Sequence, residues 1–532
     1  MSERVWWKHG VVYQIYPRSF ADANGDGVGD LAGIRARLDY IEKLGVDAIW
    51  LSPIFVSPMK DFGYDVADYC AIDPIFGTMS DFDALLADVH ARGMKLMLDW
   101  VPNHTSDRHP WFASARASRE SPHRDFYVWR DPAPDGGPPN NWVSYFGGPA
   151  WTRDEATGQY YLHSFLREQP DLDWRNPAVE RAMHETLRFW LAKGVDGFRI
   201  DVIHKIAKDP LMRDNPPIEG GKGYTAQIHV HDENHDDVHA FLRRIRAVMN
   251  EYESTATVGE VYMFDPDTVG HYYGDDDELH LAFNFAFLRS AWSAQSFKGE
   301  IARIEEAIAD KGWPVLVLSN HDVVRHATRF GDTRPAERAR MAALLMLTLR
   351  GTPFLYAGEE LGLTEVDIPV DERRDPVGFS LGMELSRDGC RTPMPWTAGP
   401  HAGFSTTTPW LRVGEENAAR HVEGQERDPD SILALYRELT ALRRRTPALS
   451  RGDYFPIDTG KATLMVFDRV LGEERARVAC NFGDRDIVVD LGGSPKDGLR
   501  THPSRVLARR VVLGPDEAVV VTFDDDDGID VG

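Results

Sequence analysis

Arg199 and Asp201 close an apolar run, Gly194 to Asp201, with one residue between them. Residues two apart on a strand point the same way, so both charges face one space. A guanidinium beside a carboxylate favours the ionised acid, and a fixed, ionised carboxylate is what nucleophilic attack requires. The same pair could equally be a buried structural ion pair. Three further apolar runs end in polar clusters: KLMLDWVPNH in Asp99, Asn103 and His104, TATVGE in Glu260, and PVLVLSNHD in Asn320, His321 and Asp322. Any one of these could be a cap or an ion pair. Crowding Asp201, Glu260 and Asp322 at one end of a fold costs stability through repulsion, a cost that a functional site uses. Two carboxyls about 5 Å apart support double displacement at a sugar anomeric carbon. In that chemistry Asp201 is the nucleophile and Glu260 the general acid. His104 and His321 can hydrogen-bond sugar hydroxyls, and Asp322 can grip hydroxyls near the anomeric carbon. Tyr64, Phe146 and Phe165 can offer ring faces to sugar C–H groups.

These residues need elements that carry them to one place. Apolar runs at Val11–Pro17, VDAIWLSP, KLMLDWVPNH, Gly194–Asp201, Thr255–Glu260, Leu279–Phe285, Pro314–Asp322 and Thr352–Glu360 predict eight strands. Helical patterns at Leu31–Leu44, Asp81–Arg92, Val179–Lys193, Val238–Glu251 and Ser431–Arg444 fall between or after them. Eight strand–helix units in series predict an α/β fold, a (β/α)8 TIM barrel whose strand ends share one mouth. The stretch 104–174 breaks the rhythm and is rich in Pro, Gly, Trp and Tyr, which predicts an inserted domain B after the third strand. Short alternating runs after Thr446 predict a C-terminal antiparallel β domain. The expected division is 1–103 and 175–447 for barrel domain A, 104–174 for domain B, and 448–532 for a β-sandwich domain C. The tail DDDDGIDVG is expected to fray.

DANGDGVGD places Asp22, Asn24, Asp26 and Asp30 at alternating or wider spacing, with glycines that permit sharp turns. Such oxygens can wrap a hard cation such as calcium; they can also be a solvated turn. A formal net charge of -24 argues against nucleic acid and anionic lipid as partners. Three well-separated cysteines indicate neither a disulfide framework nor a zinc site. With no apolar run of signal or membrane-spanning length, the cytoplasm is the expected location.

DWVPNH, GFRIDVIHK, GEVY and SNHD resemble the four signature regions of glycoside hydrolase family 13, the α-amylase family, in its order. The likeness covers nearly the whole chain. QPDLDW, Gln169 to Trp174, resembles the QPDLN mark of the α-glucosidase and oligo-1,6-glucosidase branch, with Asp173 in place of Asn. GCRTPMPW, Gly389 to Trp396, is similar to that branch's RTPMQW, with Pro395 in place of Gln. The resemblance implies Asp201 as nucleophile, Glu260 as acid/base and Asp322 as transition-state stabiliser. It implies that Asp61, Tyr64, His104, Arg199, His321 and Arg391 bind the non-reducing glucose, with Phe146, Phe165 and Gln169 walling the pocket. It also implies a structural Ca2+ or Mg2+ held by Asp22, Asn24, Asp26, the Val28 carbonyl and Asp30, and no organic cofactor. The expected function is a retaining, exo-acting α-glucosidase, a transglucosylating hydrolase acting on small α-glucosides as a monomer or small homo-oligomer. The alternative is a sucrose isomerase or trehalose synthase-like glucosyl-transferring enzyme. A third is a non-catalytic relative of transporter heavy subunits, which usually lack the acids retained here. Val202, after the nucleophile, is associated in this branch with α-1,6 cleavage, and Lys205–Val230 is expected to shape the acceptor side.

Overall fold

The computed structural model describes residues 4–309, 311–331, 333–502 and 507–523; the acidic tail lies outside the described residues. Eight strands form one sheet: β1 (Val12–Ile15), β2 (Ala48–Leu51), β3 (Lys95–Trp100), β4 (Gly197–Ile200), β5 (Ala256–Gly259), β6 (Leu281–Ala282), β7 (Val315–Val317) and β8 (Thr352–Tyr356). Its order, β6-β5-β4-β3-β2-β1-β8-β7, joins the first strand to the last. Every pairing in it is parallel. Strands covered on both faces must be apolar throughout, and β1, β2, β4 and β5 are buried along their whole length. This is the expected (β/α)8 barrel.

Register sets up the site. Asp99 on β3 lies directly beside Arg199 on β4, and Arg199 beside Val258 on β5. The helix Pro177–Lys193 delivers β4. Asn176 caps its start, Pro177 occupies its first turn, and it stops at Gly194 with φ 101°, a conformation that glycine adopts without a Cβ penalty. At Gly197 a side chain would stand 2.4 Å from the Ala256 carbonyl, so glycine is what lets β4 and β5 approach. The expected single helix over Leu31–Leu44 is two, Leu31–Ala36 and Leu38–Leu44. They break at Arg37, whose guanidinium lies 4.2 Å from the Trp396 ring centroid.

Between β3 and β4 the chain leaves the barrel. There Trp129–Arg130, Tyr160–Leu162 and Trp151–Arg153 form a three-stranded antiparallel sheet around Val128, Trp142, Ala150, Trp151 and Leu162. After the helix Ile432–Arg445 comes a five-stranded sheet in the order Asp453–Ile457, Leu464–Leu471, Glu474–Asn481, Glu517–Thr522, Asp497–Arg500. One face of it, with Met465, Phe467, Val478 and Val520, joins the barrel core. The other, with Leu464, Val466, Val519 and Val521, packs on the two-stranded sheet of Ile487–Asp490 and Arg510–Leu513. Fully buried Asp516 sits just before the fourth strand and accepts bonds from Trp292 Nε1, Arg334 Nε and Arg338 Nε of the barrel at 2.7, 2.8 and 3.1 Å.

Candidate active site

Arg199, 2 % exposed, is gripped by three acids. Nη1 lies 2.8 Å from Asp99 Oδ1 and 2.6 Å from Asp201 Oδ1, and Nη2 lies 2.7 Å from Glu260 Oε2. Asp201 and Glu260 follow directly on β4 and β5, so the parallel register itself brings their carboxyls to neighbouring nitrogens of one planar fork. Burial pushes the Asp99 carboxyl up to about 7 against the pull of Arg199. Asp201 is also pushed up, by burial first and then by the charges of Glu260 and Asp99, with Arg199 pulling the other way. This departs from the expectation that Arg199 alone keeps Asp201 ionised. One guanidinium does not balance three buried carboxylates, so burial and mutual repulsion disfavour ionising Asp99 and Asp201 together. The chain turns sharply after Asp201: Val202 has left-handed backbone, φ 34° and ψ 45°, unfavourable for a β-branched residue. In that conformation its N–H donates to Glu260 Oε2 at 3.1 Å, tying the end of β4 to the acid on β5.

A second cationic cluster faces the first. Arg391, fully buried, donates from Nη2 to Asp322 Oδ1 at 2.8 Å and from Nε to the His321 carbonyl at 2.7 Å. The contact with Asp61 belongs to Arg387, four residues before Arg391 and just outside the Gly389–Trp396 motif. Arg387 reaches Asp322 Oδ1 at 2.9 Å, Asp61 Oδ1 at 3.0 Å and Asp375 Oδ1 at 2.7 Å. Burial disfavours charge on Asp322, but neighbouring His321 and then the guanidinia of Arg387 and Arg391 outweigh it and hold the carboxyl below the usual carboxylate range. Asp61 is pushed up by burial against the pull of Arg387 and Arg391.

A relay joins the two clusters. Gln14 Nε2 lies 2.8 Å from His321 Nδ1, His321 Nε2 2.6 Å from the Tyr64 hydroxyl, and that hydroxyl donates to Asp99 Oδ2 at 3.0 Å. If the Gln14 amide donates, the imidazole proton is on Nε2, an assignment that follows from the network. Burial holds both His321 and His104 neutral, at about 3 and about 4. Gln169 Nε2 donates to Asp61 Oδ2 at 3.2 Å and lies 3.1 Å from His104 Nε2. The Phe165 ring packs 5.2 Å from His104. Phe146 and Phe165 form a buried cluster with Val377, against which Val202 and Tyr145 pack. The acids, the binding residues expected from the sequence and the aromatic wall are therefore linked by direct contacts into one site. Gln14, Asp375 and Arg387 are additions. The only sequence sign of Arg387 was a second arginine one turn before Arg391.

Lys205–Val230, unreadable in sequence, folds onto the inserted segment. Asn141 exchanges bonds with Asn215, and Gln227 Nε2 bonds the Asn141 carbonyl.

The oxygen-rich loop is closed by its own backbone. Asp22 accepts from Gly25 N–H and Gly27 N–H at 2.7 and 2.8 Å, Asp26 from Val28 N–H at 2.8 Å, and Asp30 from Ala23 N–H at 3.1 Å. Among the described residues no three His, Cys, Asp or Glu side chains gather as metal ligands. The donors are nonetheless hard oxygens, and a carboxylate bonded to N–H groups keeps lone pairs for an ion. Asp22, Asn24, Asp26, Asp30 and the Val28 carbonyl are thus donors of the kind that calcium or magnesium takes, but in this structure their carboxylates are not gathered round one point.

Residues 14–452 match the family described as alpha amylase, catalytic domain. The chain is 44% identical over 528 residues to a probable alpha-glucosidase of Rhizobium meliloti (strain 1021), covering 96% of each chain. It is 41% identical to an oligo-1,6-glucosidase of Parageobacillus thermoglucosidasius, covering 92% of each. Among solved structures, the alpha-glucosyl transfer enzyme XgtA superposes with a TM-score of 0.92 at 40% identity, over 98% of this chain and 100% of that one. Isomaltulose synthase from Erwinia rhapontici NX5 superposes at 0.90 and 36% identity, over 98% and 100%.

Proposed function

Because the chain belongs to the alpha-amylase family, we infer that it is a retaining, exo-acting α-glucosidase that releases terminal glucose from short α-glucosides and transglucosylates. The observation that carries this is the Arg199 clamp on Asp201 and Glu260, with Asp322 on the facing arginines. A retaining pair must stand about 5–5.5 Å apart, and two acids on neighbouring nitrogens of one guanidinium are drawn together. Asp201 attacks the anomeric carbon while Glu260 protonates the leaving oxygen; water then enters with Glu260 as base. Asp322, kept ionised by Arg387 and Arg391, faces the positive charge that develops on the ring. Tyr64, His104, Arg199 and His321 bind the hydroxyls of the glucose, and Phe146, Phe165 and Gln169 wall the pocket.

Exo action is supported by the bridge from Asp61 to Arg387. A longer chain would have to break that buried pair, which disfavours internal cleavage. Val202 and the relatives named oligo-1,6-glucosidases support α-1,6 links among the substrates. Proton NMR of early products from maltose, isomaltose, sucrose, trehalose and an aryl α-glucoside tests this directly. Initial release of α-glucose is expected from the cleaved substrates. Initial β-glucose would overturn double displacement, a maltooligosaccharide ladder from starch would overturn the pocket, and isomaltulose or trehalulose as main product from sucrose would favour the isomerase alternative.

The same reading includes the division into domain A (1–103 and 175–447), domain B (104–174) and domain C (448–532), and a cytoplasmic monomer or small homo-oligomer. The division is supported by the separate three-stranded sheet between β3 and β4 and the antiparallel sheets after Arg445; among the described residues no helix is long and apolar enough to cross a membrane. A Ca2+ or Mg2+ held by Asp22, Asn24, Asp26, Val28 and Asp30 acts as a clip away from the chemistry. An ion that binds only the folded chain raises stability by mass action. Chelation should therefore lower the melting temperature and leave kcat at low temperature within about twofold, unlike loss of a catalytic ion, which removes far more. Unchanged melting and metal content in Asp22→Ala/Asp26→Ala would dispose of the site.

A further inference from the structure

Asp61 sits in a turn that its backbone does not favour. Met59 and Phe62, on either side of it, both have left-handed backbone, at φ 59° and 49°, where a Cβ crowds the adjoining peptide. Gly63 follows at φ 111°, and a side chain there would stand 3.0 Å from Pro53 Cβ. Asp65 ties the backbone of the turn from inside: Oδ2 accepts from Lys60 N–H at 2.9 Å, and Oδ1 from Asp61 N–H at 3.0 Å. The two strained side chains are held otherwise: both meet one cation, and the Phe62 ring also packs on Trp410, 5.4 Å between centroids.

Arg18, 8 % exposed, donates from Nη1 to Met59 Sδ at 3.6 Å. Its guanidinium lies 5.2 Å from the Phe62 ring centroid and 4.9 Å from that of Trp410. Among the described residues it has no ion pair. A guanidinium removed from water without a direct ion-pair partner is costly, and the charges of Asp73 and Asp26 reach Arg18 only at longer range. Ring faces offset part of that cost, because the π-systems attract the cation. Trp410 is itself fixed: its N–H donates to the Gly27 carbonyl at 2.9 Å and its indole N–H to Ser19 Oγ at 3.1 Å. The strained turn thus leans on a cation wedged against an immobile indole.

We propose that Arg18 is a positioning residue, a latch that holds the Met59–Gly63 turn through Phe62 and Met59 and so sets where Asp61 meets the terminal sugar. This rests on the reading that Asp61 binds the non-reducing glucose. Arg18 touches no substrate in this account, so its loss weakens binding and spares the chemical step.

Two measurements on Arg18→Met, Arg18→Lys and Asp61→Ala test it. Hydrogen exchange of the peptide covering 57–65 reads the latch without reference to sugar. Exchange there should rise about tenfold in Arg18→Met, the scale of one desolvated cation–π contact. The barrel strands should not change, and Arg18→Lys should recover part of the protection. Steady-state kinetics on isomaltose and maltose read the consequence. Arg18→Met should raise KM about tenfold with kcat within about twofold. It should add nothing further to KM in the Asp61→Ala background, because both act through one contact. Unchanged exchange in the turn, or exchange that rises throughout the barrel, overturns the latch. Faster exchange with unchanged KM, or effects that multiply with Asp61→Ala, overturns its action through Asp61. If Asp61→Ala itself leaves KM unchanged, the reading of Asp61 fails, and with it the role in specificity, whatever the exchange shows.

Discussion

Asp201→Ala will remove turnover of every α-glucoside, by on the order of 10⁴-fold or more in kcat, because without the nucleophile no glucosyl-enzyme forms. The variant should still fold. Arg199 keeps two of its three acids, Asp99 and Glu260, and one member of a mutually repelling group is gone. Glu260→Gln should fail differently. Proton donation contributes about 10²–10⁴-fold and matters most for a poor leaving group. Maltose and isomaltose should therefore lose on the order of 10³-fold. An activated aryl glucoside, which needs little protonation, should lose much less in glucosylation and then accumulate the covalent intermediate. Pre-steady-state release of the aryl group, with mass spectrometry of the trapped protein, reads both effects. Equal losses on the two substrate types would remove Glu260 from the acid role.

Arg387→Met should damage binding and stability together. The substitution keeps most of the side-chain volume and takes away the charge that serves Asp61, Asp322 and Asp375. Asp375 is fully buried and also accepts the Arg387 backbone N–H at 2.6 Å. Breaking a buried pair by removing one partner costs about 3–5 kcal/mol. Loss of the Asp61 bridge and of the charge beside Asp322 should lower kcat/KM by at least about 10²-fold. The pH dependence has a definite sign. Burial works against ionisation of Asp375 and Asp322, but the arginines, joined at Asp322 by His321, outweigh it and hold both carboxyls below their usual range. Such depressed groups contribute stability above their unfolded value near 4 and lose it as pH falls through the folded value. Without Arg387 that contribution is missing at neutral pH, so the stability deficit should be largest above about pH 5 and narrow below about pH 4. Thermal melts of both proteins from about pH 2.5 to about pH 8 would show it, and a deficit that stays constant below about pH 4 would count against charge as the cause.

The barrel was legible in the sequence because buried parallel strands are apolar throughout and end abruptly in polar residues, as Gly194–Asp201 does. The acids were legible for the same reason: each closes such a run, so its place at the mouth follows from the strand. Residues held by loops were harder. The likeness of RTPMPW to a known segment pointed to Arg391, yet it is Arg387 that bridges to Asp61. Which of two arginines one turn apart reaches a given acid depends on the path of the insertion, and no periodicity records that path. Protonation was out of reach as well. Arg199 beside Asp201 suggested a simple ionised acid, whereas burial of Asp201, with Glu260 and Asp99 brought to the same guanidinium by β5 and β3, reverses the direction of the shift. The left-handed residues Val202, Met59 and Phe62 are not glycines, so nothing in their own types announces them.

Asp516 gives the C-terminal sheet a part in the timing of folding. It is a single carboxylate meeting Trp292, Arg334 and Arg338, all of them synthesised well before it. Until it arrives, two arginines and an indole on the back of the barrel lack their acceptor, and the sheet-facing surface with which Met465, Phe467 and Val520 pack lies open to water. Folding from the N-terminus as the chain emerges can assemble strand–helix units early, but it leaves a barrel with an uncovered apolar flank until the final strands dock. The nascent intermediate is therefore the aggregation-prone form of this enzyme. A chain that stalls before residue 516 would present that flank to a chaperone.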